Sequence, residues 1–392
     1  MRSNRMIRRT CGAAAALVLA LGAAACGNSA DEPSTSSTSS TDDAAATEAA
    51  DAASARLQDY LVDPGTINVS EPLPGEPAAG RSVHFLVLNL PTTQIAQEGM
   101  KAAAEAVGWD LTTVLLDPTD AQAFSAGVEQ AIAAKADYIV GAALSLATAG
   151  EAVAKAKAAG IPVMVTYGTD PAEGADGNGV YVSSAGPEWV GKIYPAAVDW
   201  AIAKSGGKAN MLYVNVPDIP IMKVTNDANA AHMKEACPTC TYEELGLSVP
   251  DMSNGSIPSQ VVSKLQSDPE IDHIFFGFAD LGTGVYEALE AAGLADKVKL
   301  MSASANPSDL AAIAKGEGMD AGTLNAQPYV YWMVMDAMLR LDAGESIDPE
   351  TYAYAPLAVA DKSNVGTVFP TDADWLGPKG FEDKFKALWQ VG

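Results

Sequence analysis

Val83-His84-Phe85-Leu86-Val87-Leu88 reads as one buried β-strand, and residues 93–107 behind it carry the Ala-rich amphipathic pattern of a helix. The same pair then recurs. Strand-like runs at 111–116, 138–141, 162–167 and 180–182 alternate with helix-length segments at 121–134 and 147–159. Strands that are apolar without alternation belong in parallel sheets, because crossover helices cover both faces. From Met211 the rhythm begins again, with strands at 211–214, 242–247, 273–276, 298–301 and 322–324. The intervening helices are expected at 225–236, 259–267, 284–292 and 310–316, and a long one closes the series at 329–342. The fold class is therefore α/β, with two doubly wound parallel-sheet lobes. A ligand is expected in the cleft between them, at the carboxyl ends of the strands.

Working outward from this core, the N-terminus reads as export machinery. Residues 1–9 hold Arg2, Arg5, Arg8 and Arg9 with no acid, and an apolar run of about 15 residues follows from Cys11. That is the pattern of a signal peptide, assigned to residues 1–25, and it is too short to span a membrane. Ala23-Ala24-Ala25-Cys26-Gly27 resembles a bacterial lipobox, with Ala23 where leucine is usual and Leu21 slightly upstream. Cys26 is thereby expected to be the lipidated N-terminus of an extracytoplasmic protein anchored to the outer face of the cell membrane. Residues 26–55 are Ser, Thr, Ala and Asp with almost no large side chain, and read as a disordered linker. Residues 56–79 carry Pro64, Pro72, Pro74 and Pro77, and read as an extended strap along the first lobe.

Composition narrows the chemistry. The formal charge is −25; without the four leader arginines it is −29, which makes nucleic acid and anionic lipid poor partners. With Cys11 removed and Cys26 acylated, Cys237 and Cys240 remain, at the end of an expected helix. In an oxidising compartment a local disulfide is expected there rather than a redox site or half a zinc site. His84, His232 and His273 show no ligand spacing, so no metal or cofactor is expected. No GxSxG, HExxH or Walker motif occurs, and the GxG at Gly282 has Glu287 where its last glycine would stand. An enzyme is not expected.

Several segments, in order, carry a resemblance. They are Asn89-Leu90-Pro91 with Gly99-Met100-Lys101-Ala102-Ala103, then Gly160-Ile161-Pro162-Val163. In the second half they are Ile274 to Ala279 with Gly284-Val285-Tyr286-Glu287-Ala288-Leu289, and Asn325-Ala326-Gln327-Pro328-Tyr329. Together with the lipobox they resemble the type I periplasmic binding proteins of the ribose-binding class. The resemblance implies a hinge of three crossings. Lobe 1 would be residues 80–184 and 328–355, and lobe 2 residues 185–327 and 356–392. The C-terminal spacing Phe381, Phe385, Leu388, Trp389 reads as a helix packed on lobe 2, with Trp375 also in core packing.

The same resemblance implies where the solute contacts stand. The aromatics that ribose binders place after the first strand correspond to Pro91-Thr92-Thr93-Gln94, and their Asp-Arg pair to Tyr167-Gly168. Phe278, followed by Ala279 and Asp280, replaces an asparagine, and Ser304 replaces an aspartate; the hinge glutamine is kept as Gln327. The expected ligand contacts are thus Asn89, Thr93, Gln94, Tyr167, Phe278, Asp280, Ser304 and Gln327. For Tyr167 and Phe278 core packing is the competing reading, and for Asp280 a helix N-cap. The implied function is a monomeric substrate-binding lipoprotein that delivers a small solute, a sugar or related polar metabolite, to the permease and ATPase of an ABC importer. Two alternatives stay open. The solute is a less hydroxylated aromatic or alicyclic metabolite, or the liganded protein signals to a membrane sensor.

Overall fold

The computed structural model describes residues 38–392, so the expectations for the leader and for Cys26 fall outside the described residues. Residues expected to be linker instead form α1 (Thr38–Leu57). Ala46, Ala49, Ala50, Ala53 and Leu57 are buried along one helical stripe. What makes so small a face sufficient is close approach. Gly207 has φ +79°, and a Cβ there would lie 2.0 Å from the Ala46 carbonyl oxygen, so the α1 backbone rests directly on that turn. Arg56 then reaches the buried Asp199 through Nε at 2.9 Å and Nη2 at 2.6 Å.

After the proline-rich strap come β1 (Ser82–Leu88), α2 (Gln94–Val107), β2 (Asp110–Leu116), α3 (Ala123–Ala134), β3 (Tyr138–Ala142), α4 (Leu146–Ala158), β4 (Val163–Thr166) and β5 (Val180–Ser184). They form a sheet in the order β2-β1-β3-β4-β5, and each of these pairings is parallel. Central β1 is buried through its middle on both faces, whereas edge β2 is largely open.

The second series runs α5 (Pro187–Lys204), β6 (Asn210–Asn215), α6 (Pro220–Ala236), β7 (Thr241–Gly246), α7 (Asp251–Asn254), α8 (Ile257–Ser267), β8 (His273–Phe276), α9 (Val285–Ala292), β9 (Lys299–Ser302), α10 (Pro307–Lys315) and β10 (Ala321–Asn325). After α11 (Gln327–Asp342) and α12 (Pro349–Ala353), β11 (Leu357–Asp361) returns to this sheet, and α13 (Phe381–Trp389) follows. The order is β11-β10-β9-β8-β6-β7, with β11 antiparallel to β10. The second sheet is thus mostly rather than wholly parallel. A disulfide joins Cys237 and Cys240 at the end of α6, as the sequence leads one to expect.

Helix α11 packs on α2 of the first lobe. Gly99 permits this: a Cβ there would lie 2.5 Å from Pro328 Cα. The approach sets the first turn of α11, with Gln327, at the mouth of the cleft. Buried Asp336 on α11 accepts hydrogen bonds from Arg340 Nε (2.8 Å), the Tyr352 hydroxyl (2.7 Å) and Trp389 Nε1 (2.8 Å), which satisfies a carboxylate out of contact with water. Here the expectation for the C-terminus is corrected. Phe381, Phe385 and Trp389 of α13 stack around Trp332 of α11, with ring centroids 5.9, 6.2 and 5.1 Å away, and so belong with the first lobe. The helical spacing was real, but it could not say which surface would receive it.

Candidate functional site

Strand ends from both sheets converge on two adjoining cavities. The inner one, of about 160 Å³, is walled by Tyr167 and Tyr331 from the first lobe and by Trp189, Tyr194, Met222 and Phe278 from the second. Thr93, Ser304, Asn325 and Gln327 are among its polar lining. The outer one, of about 430 Å³, shares Ser304, Asn325 and Gln327 and adds Gln94, Glu98, Asp280, Asn306, Asp374 and Trp375. Among the described residues that line either cavity, none is lysine, arginine or histidine.

Backbone strain concentrates here. Six described non-glycine residues have positive φ, and three of them, Ala143 (66°), Tyr167 (56°) and Ser304 (53°), line the inner cavity. L-residues adopt that region at a cost, and surrounding contacts must hold them in it. The Tyr167 amide donates to the Ser184 carbonyl at 2.8 Å, and its ring meets Trp189 edge-on at 6.1 Å between centroids. Its hydroxyl crosses the cleft to Asn325 Oδ1 at 3.1 Å. Burial pushes the Tyr167 phenol well above the ordinary tyrosine range, so it stays a neutral donor. On the second lobe, the Ser304 amide donates to Thr323 Oγ1 at 3.3 Å, and Asn325 Nδ2 lies 3.5 Å from Ser304 Oγ. Asn306 opens α10 with a reciprocal cap to Asp309, whose carboxyl is raised by burial to about 6.

The outer cavity has the opposite character. Glu98 projects from α2, where it accepts from Gln94 Nε2 at 3.3 Å. Burial and the nearby Glu98 carboxylate hold Asp374 above the usual carboxylate range. Carboxylates and amides without a cation can accept from hydroxyl or ammonium groups; they repel an anion.

Seven of the eight residues singled out from the sequence line one cavity or the other. Asn89 does not: its amide continues the β1–β2 pairing to the Leu116 carbonyl at 2.8 Å, and its side chain is exposed. Thr93 lines the inner cavity, but its hydroxyl is taken up by the Leu88 and Leu90 carbonyls at 2.7 and 2.8 Å. Asp280 lies inside a short turn, Ala279–Gly282, rather than capping a helix. Sequence reasoning missed Trp189, Tyr194, Tyr331, Glu98 and Asp374, and it read Trp375 only as core. Tyr331 had a signal, since it stands one helical turn beyond Gln327; Trp189 and Tyr194 lie on a helix that no strand-end argument reaches.

A family model described as a periplasmic binding protein domain matches residues 88–346. No curated protein is matched by sequence. Among solved structures, the chain is similar to a 5-methylthioribose transporter solute-binding protein from Thermotoga lettingae, in complex with 5-methylthioribose. The TM-score is 0.66 at 15% identity, covering 79% of this chain and 98% of the other. It is similar also to an ABC transporter solute-binding protein from Agrobacterium vitis with bound allitol (TM-score 0.63, 19% identity, 74% and 98% covered). A carbohydrate transporter structure from Acidothermus cellulolyticus, in complex with myo-inositol, gives 0.60 at 21% identity, with 74% and 96% covered. At these identities the likeness is one of fold.

Proposed function

The chain belongs to the periplasmic binding protein domain family, and we propose that it captures a small amphipathic solute outside the cell for an ABC importer. It is a binding protein rather than an enzyme. The ligand class rests on one observation. The inner cavity sets Tyr167, Trp189, Tyr194, Phe278 and Tyr331 around a space without a charged side chain, beside an outer cavity that holds Glu98, Asp280 and Asp374. Aromatic walls favour a flat or apolar face. A densely hydroxylated body in the inner cavity would leave polar groups unpaired, at about 1–3 kcal/mol each. The solute is therefore neutral or cationic, with its apolar body inside and its polar end among the carboxylates.

Closure would turn on the crossings near residues 184, 327 and 355, with ligand shifting the balance between open and closed lobes. Lipidation at Cys26 would keep the protein at the outer face of the membrane, beside the permease and ATPase it serves. A second reading, a sugar gripped from the outer cavity, is favoured by the carboxylates and amides there.

A thermal-shift screen of the purified mature protein separates the two. Pentoses, hexoses, inositols, nucleosides and small aromatic amines and alcohols would be compared; a binder at 100 times its Kd adds about 2.7 kcal/mol. Stabilisation by sparsely hydroxylated compounds supports the first reading. Stabilisation by a sugar, with affinity unchanged in Tyr167→Ala and Phe278→Ala, overturns it in favour of the second.

A further inference from the structure

The family match ends at residue 346, yet the outer cavity is completed by residues beyond it, Asp374 and Trp375. We propose that residues 362–380 form a recognition wall of this chain's own. In it Trp375 packs against the solute and Asp374 accepts from its hydrogen-bond-donating end, a hydroxyl or an ammonium group. The inference rests on the cleft being the solute site.

The segment is built to hold these two side chains in place. It leaves β11 through a turn tied by Asn364, whose Oδ1 accepts from the Asp361 amide at 2.9 Å and whose Nδ2 donates to the Val359 carbonyl at 2.8 Å. Phe369 is buried and meets Trp375 edge-on, 5.8 Å between centroids. Past Trp375 the Leu376 carbonyl accepts from the Tyr329 amide at 3.2 Å. At Gly377 (φ +145°) a Cβ would come within 2.9 Å of Tyr329 Cβ. Trp375 is thus held by Phe369 and by the attachment of the next two residues, Leu376 and Gly377, to the first turn of α11, the turn that carries Gln327.

Packing alone does not account for the pair. Trp375 is only 8% exposed, yet its Nε1–H finds no acceptor in the protein, and the residue lines the outer cavity. That N–H is itself closed to solvent, so what Trp375 offers the cavity is its ring. Beside it Asp374 is half-buried at the same cavity as Glu98, without a cation among the described lining residues. A hydroxyl or ammonium group would relieve that concentration of negative charge, and the aromatic ring of Trp375 would pack against the rest of the solute. Because the segment runs from β11 of the second sheet to α13 on the first lobe, the wall also spans the hinge.

The test is calorimetric titration of the intact mature protein with tyramine, its neutral counterpart tyrosol, 5-methylthioribose and myo-inositol. For whichever of these bind, Trp375→Ala should weaken affinity about tenfold or more, and Trp375→Phe should restore most of it. Asp374→Asn should weaken binding several-fold, and tyramine more than tyrosol if both bind. Asp374→Asn also guards against a Trp375→Ala variant that fails to fold. Both variants binding within twofold of wild type, while Tyr167→Ala weakens binding, would overturn the wall and leave the cleft reading intact. No binding by any of the four, or binding indifferent to Tyr167→Ala as well, would remove the cleft reading and the wall with it.

Discussion

The Tyr167 hydroxyl donates to Asn325 Oδ1 at 3.1 Å, linking the end of β4 in one lobe to the end of β10 in the other. Two positions 158 residues apart in sequence thereby meet across the cleft in which the solute is proposed to sit. Any ligand that enters must keep this bond or replace it.

Tyr167→Phe keeps the ring but removes the link, and should weaken solute affinity by about 0.5–1.5 kcal/mol. Tyr167→Ala and Phe278→Ala remove aromatic walls from opposite lobes, and each should weaken it by about 1–3 kcal/mol. Titration calorimetry beside thermal unfolding checks this; equal affinity in all three variants, each still folded, would place the solute elsewhere.

Arg56 anchors α1 to a buried anion. Burial raises the Asp199 carboxyl, but hydrogen bonds from His232 and Arg56 outweigh it and hold the group below the usual Asp value. A depressed folded pKa contributes stability that is complete above the ordinary Asp range and is lost as pH falls through the folded value. Arg56→Ala should cost about 1–3 kcal/mol near neutral pH, and less in acid. Urea unfolding at pH 7 and below pH 4 measures both; an equal cost at the two pH values would show that the pair does not act through charge.

Asp309 has the opposite sign. Burial raises its folded pKa to about 6, so the stability linked to its proton is present below the ordinary Asp range and is lost as pH rises towards 6. Asp309→Asn, which keeps an acceptor for Ser302, should flatten the stability profile between about pH 4 and 6 by roughly 2 kcal/mol. Chemical denaturation across that range is the measurement, and an unchanged slope counts against it.

The Cys237–Cys240 bond closes a loop of sequence separation 3, so it removes little entropy from the unfolded chain. The double serine variant should lose at most about 2 kcal/mol and keep solute binding. Lost binding in a folded variant would point to a functional role for the pair.

Metabolic labelling with a lipid precursor should mark the protein through Cys26, and Cys26→Ser should release it from the membrane fraction. Unlabelled, freely released wild-type protein would end the lipoprotein proposal.

The alternation that begins at Val83 made the two α/β lobes legible, because a strand covered on both faces needs an apolar residue at nearly every position, and that is a local signal. Strand ends were legible too, but it was the resemblance to the ribose-binding class that singled out Tyr167, Phe278, Ser304 and the hinge residue Gln327. The two ends of the chain were not. Residues 38–57 have the composition of a tether; what makes them a docked helix is Gly207, which lets the backbone approach, and Asp199, a buried anion 143 residues from Arg56. Trp375 and the helix after it have an apolar spacing that fits any core, and only the packing of α13 on α11 settles where they lie. Composition and period report how much surface a segment must bury. Which surface receives it depends on steric fit and charge between residues far apart in the chain, and that was decided only in the tertiary structure.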